Sequence, residues 1–166
     1  RGWISLSHPE GSTGLEQALY EFYMWRYVMQ GCYHARNQPG YQARIAAIIA
    51  FTETHIWQKW YGRGSGQLWL YREVVHISAH TAMVALYLRE MAASATIRAQ
   101  CQTVLDNIDH VGMSLYTQGG VKASFRNQLK AHPENPNAYY WNAYWPSRNV
   151  SEPNGSDQDH ADAFIT

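Results

Sequence analysis

The feature that most constrains this chain is a succession of four long segments with helical periodicity. They cover roughly residues 12–36, 41–61, 68–93 and 95–117, and apolar side chains recur in each at the three- and four-residue spacing of a helix. Turn-forming glycine and proline residues at 37–40 and 62–66 separate the first three segments. Strand-like alternation is absent from the pattern. We therefore predict an all-α fold of antiparallel helical hairpins over residues 12–117.

The third and fourth segments differ in how their apolar residues are distributed. The third is apolar around most of its circumference, which is typical of a helix buried between neighbours. The fourth has one apolar side, which includes Ile97, Cys101, Val104, Ile108 and Leu115. We therefore expect an inner third helix and an outer fourth helix.

The composition changes after the fourth segment. Residues 118–156 are rich in Asn, Pro, Tyr and Trp, and a loop region of this length is often functional. A further helix is predicted to start at residues 157–166, with Ser156 as its cap, and the chain ends at Thr166 about two turns later. We therefore expect one helical domain over residues 1–166 that is truncated at its C-terminal end.

The charge balance excludes some classes of partner. Thirteen Lys and Arg residues match thirteen Asp and Glu residues, so no net field favours a polyanion, and we predict neither a nucleic-acid nor a membrane partner. The sequence contains no run of the roughly 20 apolar residues that a membrane-spanning helix needs. Whether the two cysteines, Cys32 and Cys101, form a disulfide stays open.

A polar stripe on the third helix is the sharpest candidate for a functional site. Arg72, His76 and His80 follow one another at intervals of four, which places them on one helical face. Burying such groups costs several kcal/mol unless they are paired or face water. Two interpretations therefore stand: a stripe that lines a cleft, or core histidines that are hydrogen-bonded to their neighbours.

Two later segments carry further candidates. His160 lies in the first turn of the helix predicted from residue 157, where it could act as an acid or base, or where the turn could be a simple cap. The aromatic segment 139–145 could form a stacking surface for sugars or could plug the core. The residues of this segment that we expect to bind a ligand are Tyr139, Tyr140, Trp141, Asn142 and Trp145.

Three segments together resemble a known family. Residues 71–80 read YREVVHISAH, residues 57–64 read WQKWYGRG, and residues 156–161 read SDQDHA. They are similar to segments of the (α/α)-toroid polysaccharide lyases of the alginate and glucuronan lyase kind, although Asp159 stands where those lyases have Ser. The resemblance implies part of an incomplete (α/α) toroid, secreted or periplasmic, that cleaves a uronic-acid polysaccharide by β-elimination without a cofactor.

The resemblance also implies roles for the candidate residues. The substrate carboxylate would be neutralised, the C5 proton abstracted, and the departing O4 oxygen protonated. The expected catalytic residues are Arg72 for neutralisation, to which Asn142 and His76 could also contribute, His80 or His160 as the base, and Tyr140 (or Tyr139) as the acid. The expected substrate-binding residues are His76, Asn142, Tyr139, Trp141 and Trp145. The polysaccharide is the expected partner, together with the missing remainder of the chain or another subunit.

Two other functions compete with the lyase. His76 and His80 have the spacing of zinc ligands on a helix, and Asp159 or His160 could complete the site of a zinc-dependent hydrolase. However, Ile77 follows His76, so the His-Glu-x-x-His motif is absent. The third alternative is a non-catalytic helical module that binds carbohydrate through its aromatic loop.

Overall fold

The computed structural model describes residues 16–72, 74–131, 135, 137, 139–140 and 144–145. This part of the chain is mostly helical, which confirms the predicted all-α character, but it also contains two small antiparallel pairs of strands. The helices are α1 (Ala18–Ala35), α2 (Gln42–Phe51), α3 (Gln58–Tyr61), α4 (Leu68–Tyr71), α5 (Val75–Met91), α6 (Ala95–Asp106) and α7 (Phe125–Gln128). The strands are β1 (Met113–Gln118), β2 (Val121–Ala123), β3 (Lys130–Ala131) and β4 (Tyr139–Tyr140).

The second predicted helix is continuous in the structure but is not uniform. A π-helical turn at Thr52–Trp57 joins α2 to α3. Within it, the Thr52 hydroxyl donates to the carbonyl of Ile48 at 2.7 Å and accepts from the indole N–H of Trp25 at 2.7 Å. A single π turn inside a helix adds a residue to the turn and re-aims the side chains after it.

The core lies where α1, α5 and α6 pack side by side. α5 is the inner helix, as predicted, since α1 and α6 both pack along it. Large buried side chains fill the space between these helices and the α2–α3 segment; they include Phe22, Met29, Trp57, Trp60, Val84, Leu88 and Val104. Each such side chain contributes roughly 1.5–3 kcal/mol on burial, which makes this packing the main stabilising term.

A buried carboxylate ties α1 to α3. The side chain of Glu21, which is 1% exposed, accepts hydrogen bonds from Lys59 Nζ at 2.5 Å and from the indole N–H of Trp60 at 2.6 Å. At the more exposed edge of this network, Glu16 pairs with Arg63 at 2.8 Å. A buried charge is tolerated only when it is paired and hydrogen-bonded, and Glu21 is both.

The fourth predicted helix ends earlier than the sequence pattern indicates. After α6, a π-helical turn at Asn107–Val111 closes the helix, and β1 and β2 form a hairpin instead of its last turns. Gly112 has a φ of 88°, and a Cβ at this position would lie 2.5 Å from Lys122 Cβ. Gly119 and Gly120, both with positive φ, supply the two-residue turn that such hairpins favour. The prediction of helix to residue 117, without strands, is therefore wrong.

The third predicted helix is broken at Arg72. α4 ends at Tyr71, and Arg72 adopts a φ of 34° and a ψ of 158°, a conformation that is strained for a residue with a side chain. The backbone of Val74 is extended and pairs with Tyr144 before α5 begins. Among the described residues, no helix is long and apolar enough to cross a membrane.

Candidate functional site

The two histidines of α5 lie one turn apart on the same face, as their spacing predicts. Their ring centroids are 6.1 Å apart. α1 packs along α5 and brings three further side chains to this face, namely Tyr23, Arg26 and Tyr27. We refer to Tyr23, Arg26, Tyr27, His76 and His80 as the Tyr–Arg–His cluster.

Tyr23 links the exposed and buried parts of the cluster. Its ring meets the imidazole of His80 edge to face, with the centroids 5.1 Å apart and the planes at 76°. The side chain of Tyr23 is 44% exposed, whereas His80 is 5% exposed. The phenol is therefore accessible from the α1 side, and the imidazole lies behind it.

Arg26 places a positive charge between the two phenol rings. Its guanidinium carbon lies 5.0 Å from the ring centroid of Tyr23 and 4.5 Å from that of Tyr27, within the range of cation–π attraction. One guanidinium nitrogen donates to the Tyr27 hydroxyl at 2.5 Å. These contacts fix the guanidinium on the surface of α1 beside the histidines.

The environment of His80 keeps its ring uncharged. Burial, together with the positive charge of Arg26 and the neighbouring His76, lowers the pKa of His80 to about 3. Its Nδ1 is buried and has no hydrogen-bond partner in the described part of the chain. At neutral pH the ring is neutral and only a weak base, which does not suit the predicted role of proton acceptor.

Arg72 does not belong to the stripe that the sequence predicted. Because the helix is broken at this residue, the four-residue spacing to His76 does not place the two side chains on one helical face. The guanidinium of Arg72 instead lies 5.1 Å from the ring centroid of Trp69. The prediction of one continuous polar stripe from Arg72 to His80 is therefore wrong.

Trp145 lies in the core and not on a stacking surface. It is 2% exposed, and its indole N–H donates to the Ser78 hydroxyl at 2.7 Å. The side-chain amide of Gln128 donates to the carbonyls of Tyr144 at 3.1 Å and of Trp145 at 2.9 Å. The interpretation that this segment plugs the core is therefore correct for Trp145. The prediction that its ring lies on a surface open to a ligand is wrong.

The contact with Ser78 also fixes the side of α5 on which Trp145 lies. Ser78 falls midway between His76 and His80 in sequence, so at about 100° per residue it points nearly opposite to both. The segment at 144–145 thus supports α5 from behind the cluster.

The remaining candidates are placed only in part. Tyr139 is 60% exposed, and β4 pairs with β3 through Tyr139 and Tyr140. Trp141, Asn142, Asp159 and His160 lie outside the described residues. The expected roles of these residues stay predictions.

The two cysteines are separate buried thiols. Cys32 on α1 and Cys101 on α6 form no disulfide. Burial raises the pKa of Cys32, and it raises the pKa of Cys101 to about 12. Within the described ranges, no group of three or more His, Cys, Asp or Glu side chains could hold a metal ion.

Sequence reasoning missed the contribution of α1. Tyr23, Arg26 and Tyr27 are spaced three and four positions apart, which is the signal for a shared helical face. The prediction used only the apolar face of this helix, to which Phe22 and Met29 belong. The outer face could have been recognised as a stripe of aromatic and cationic side chains.

Comparisons with known proteins add no family to these observations. Neither the protein-family models nor the curated proteins match this sequence, and no solved structure matches the fold.

Proposed function

We propose that the Tyr–Arg–His cluster is part of a site that cleaves an acidic polysaccharide by β-elimination, in a chain that forms part of an (α/α) toroid. The observation that carries the proposal is the geometry of Tyr23, whose exposed ring contacts both the guanidinium of Arg26 and the imidazole of His80. A phenol can donate a proton to a leaving group, and a fixed cation can stabilise the charge that develops beside a carboxylate.

The cation would supply the electrostatic part of the reaction. Removal of the C5 proton beside a uronate carboxylate builds up negative charge on that carboxylate. Arg26 is held by Tyr23 and Tyr27 before substrate arrives, so its charge would stabilise the developing anion without reorganisation. Such preorganised charge is commonly the largest single contribution to a rate enhancement.

The proton transfers would divide between two groups. A base takes the C5 proton, the electron pair forms the C4–C5 double bond, and the C4–O4 bond breaks. Tyr23 would give its phenolic proton to the departing O4 oxygen. Because His80 is a weak base, it would orient the Tyr23 ring, and His160 stays the candidate for the base.

The unsaturated product absorbs in the ultraviolet, which gives a direct test on a panel of uronate polymers. We expect Tyr23→Phe to lower the rate about 10²–10⁴-fold, the usual range for loss of a general acid. Tyr41→Phe, which alters an exposed tyrosine before α2, is the matched control and is expected to leave the rate unchanged. Wild-type rates in both Tyr23→Phe and Arg26→Met would exclude this site.

A second function is favoured by the low pKa of His80. A neutral, buried imidazole behind two exposed phenol rings suits binding of a sugar face as well as it suits catalysis. In a non-catalytic carbohydrate-binding module, the same polymers would bind without forming unsaturated product. Tyr23→Ala would then weaken binding, and Tyr23→Phe, which keeps the ring, would retain it.

A further inference from the structure

A cleft of about 370 Å³ lies at the opposite end of α1 and α5 from the cluster. α1 and α5 run in the same direction, because Tyr23 meets His80 near their beginnings and Tyr33 meets Tyr87 further along. Glu90, at the cleft, is ten residues beyond His80, which is about 15 Å along the helix. The cleft is therefore distinct from the proposed catalytic face.

The floor of the cleft is apolar. It is formed mainly by one face of α2 and by the end of α5; the apolar lining residues are Ile45, Ala46, Ile49, Ala50, Met91 and Ala93. A cavity of a few hundred Å³ with an apolar floor and a few polar groups at its edge has the usual build of a small-molecule site.

Charged side chains of both signs line the cleft. Two carboxylates, Glu53 and Glu90, line it against one guanidinium, Arg36. That guanidinium is held over the Tyr33 ring, with its carbon 3.6 Å from the ring centroid, and it donates to the Tyr33 carbonyl. The carboxylate of Glu90 is already paired with Arg89 at 2.8 Å, which leaves Glu53 as the main anionic group.

Glu53 is also the better-fixed carboxylate. It lies in the π-helical turn after α2, and its Oε1 accepts from the backbone N–H of Ser94 at 3.2 Å. In the described part of the chain, no hydrogen bond uses its Oε2. The side chain is thus oriented in advance while it keeps acceptor capacity for a ligand.

We propose that this cleft binds a small amphipathic cation: a primary ammonium group that pairs with Glu53 and an apolar chain that lies on the floor formed by α2. The proposal does not depend on the proposed lyase function. It rests on the cleft, its apolar floor and the oriented carboxylate of Glu53 at its edge.

The test uses three probes that share an apolar chain and differ in charge, namely hexylammonium, hexanol and hexanoate. Binding is measured by NMR titration of the backbone amides. We expect hexylammonium to bind roughly three- to tenfold more tightly than hexanol, as one partly exposed charge-assisted contact allows, and hexanoate to bind least. Glu53→Gln keeps an acceptor for Ser94 and should bring hexylammonium to the affinity of hexanol.

Two blocking variants locate the binding. Ala46→Trp fills the cleft and is expected to abolish binding of hexylammonium, whereas Ala47→Trp, at an exposed neighbouring position outside the lining, is the matched control. Ala50→Phe blocks the same floor and serves if Ala46→Trp does not fold. Equal affinity for the three probes would overturn the proposal, as would undiminished binding in a folded blocking variant.

Discussion

The buried histidine of α5 makes a specific prediction about stability and pH. The pKa of His80 is about 3 in the folded protein, against an ordinary value of 6.5 for an exposed imidazole. At a pH between these two values, the unfolded chain therefore binds a proton that the folded chain does not bind. Binding of that proton favours the unfolded state, so the free energy of unfolding is expected to fall as the pH falls below 6.5. Above pH 6.5, the stabilising contribution of the neutral His80 ring is fully present.

The size of the effect follows from the two pKa values. At pH 5 the unfolded imidazole is largely protonated and the folded one is not, which corresponds to a loss of about 2 kcal/mol relative to pH 8. A variant without a titrating group at this position does not lose this part of its free energy of unfolding. We therefore expect His80→Leu and His80→Gln to gain about 2 kcal/mol relative to wild type between pH 8 and pH 5.

Urea unfolding at several pH values between 8 and 5 measures this difference. Each variant is compared with wild type at the same pH, so that titration of the carboxylates cancels, and the absolute stability of each variant does not matter. His34→Gln, which alters an exposed histidine near the end of α1, is the matched control and is expected to follow wild type. If both His80 variants and wild type lose the same free energy to within about 0.5 kcal/mol, His80 is not a buried neutral imidazole.

Three further predictions concern buried groups outside the cluster. Lys59→Met removes one cation that pairs with the buried carboxylate of Glu21 and is expected to lower the free energy of unfolding by roughly 3 kcal/mol in urea titrations. Trp145→Phe removes the buried indole N–H that bonds Ser78 and part of the ring volume, so about 2–3 kcal/mol should be lost in the same assay. Cys101 is fully buried with a raised pKa, so we expect thiol reagents to label it in urea but only very slowly in the native protein.

The helical framework could be predicted because it depends on local patterns. The glycine and proline turns at 37–40 and 62–66 end α1 and α3 close to the expected positions. The buried face of α6, with Ile97, Cys101 and Val104, follows its amphipathic pattern. Period and stop signals act over a few residues, so a single sequence records them well.

The errors arose where a distant contact or backbone geometry overrides the local pattern. Leu115 continues the helical spacing of α6, but the close approach of Gly112 to Lys122 and the turn at Gly119 and Gly120 produce a hairpin instead. Arg72 lies within an apolar helical pattern, yet its positive φ breaks the helix. Neither the hairpin contact nor the strain at Arg72 has a periodic signature.

The break at Arg72 also changes how the aromatic region acts on the candidate site. Because α4 and α5 are not one helix, residues 68–71 do not determine which way the face with His76 and His80 points. Besides its packing against α1 and α6, α5 is held at its first turns, where Val74 pairs with Tyr144 and Ser78 accepts from Trp145. These contacts lie behind the histidines, so this part of the aromatic region positions the cluster and does not line it. Among the residues that the structure describes, the side chains that can meet a ligand beside the histidines come from α1, so the chemistry of this face depends on the packing of α1 against α5.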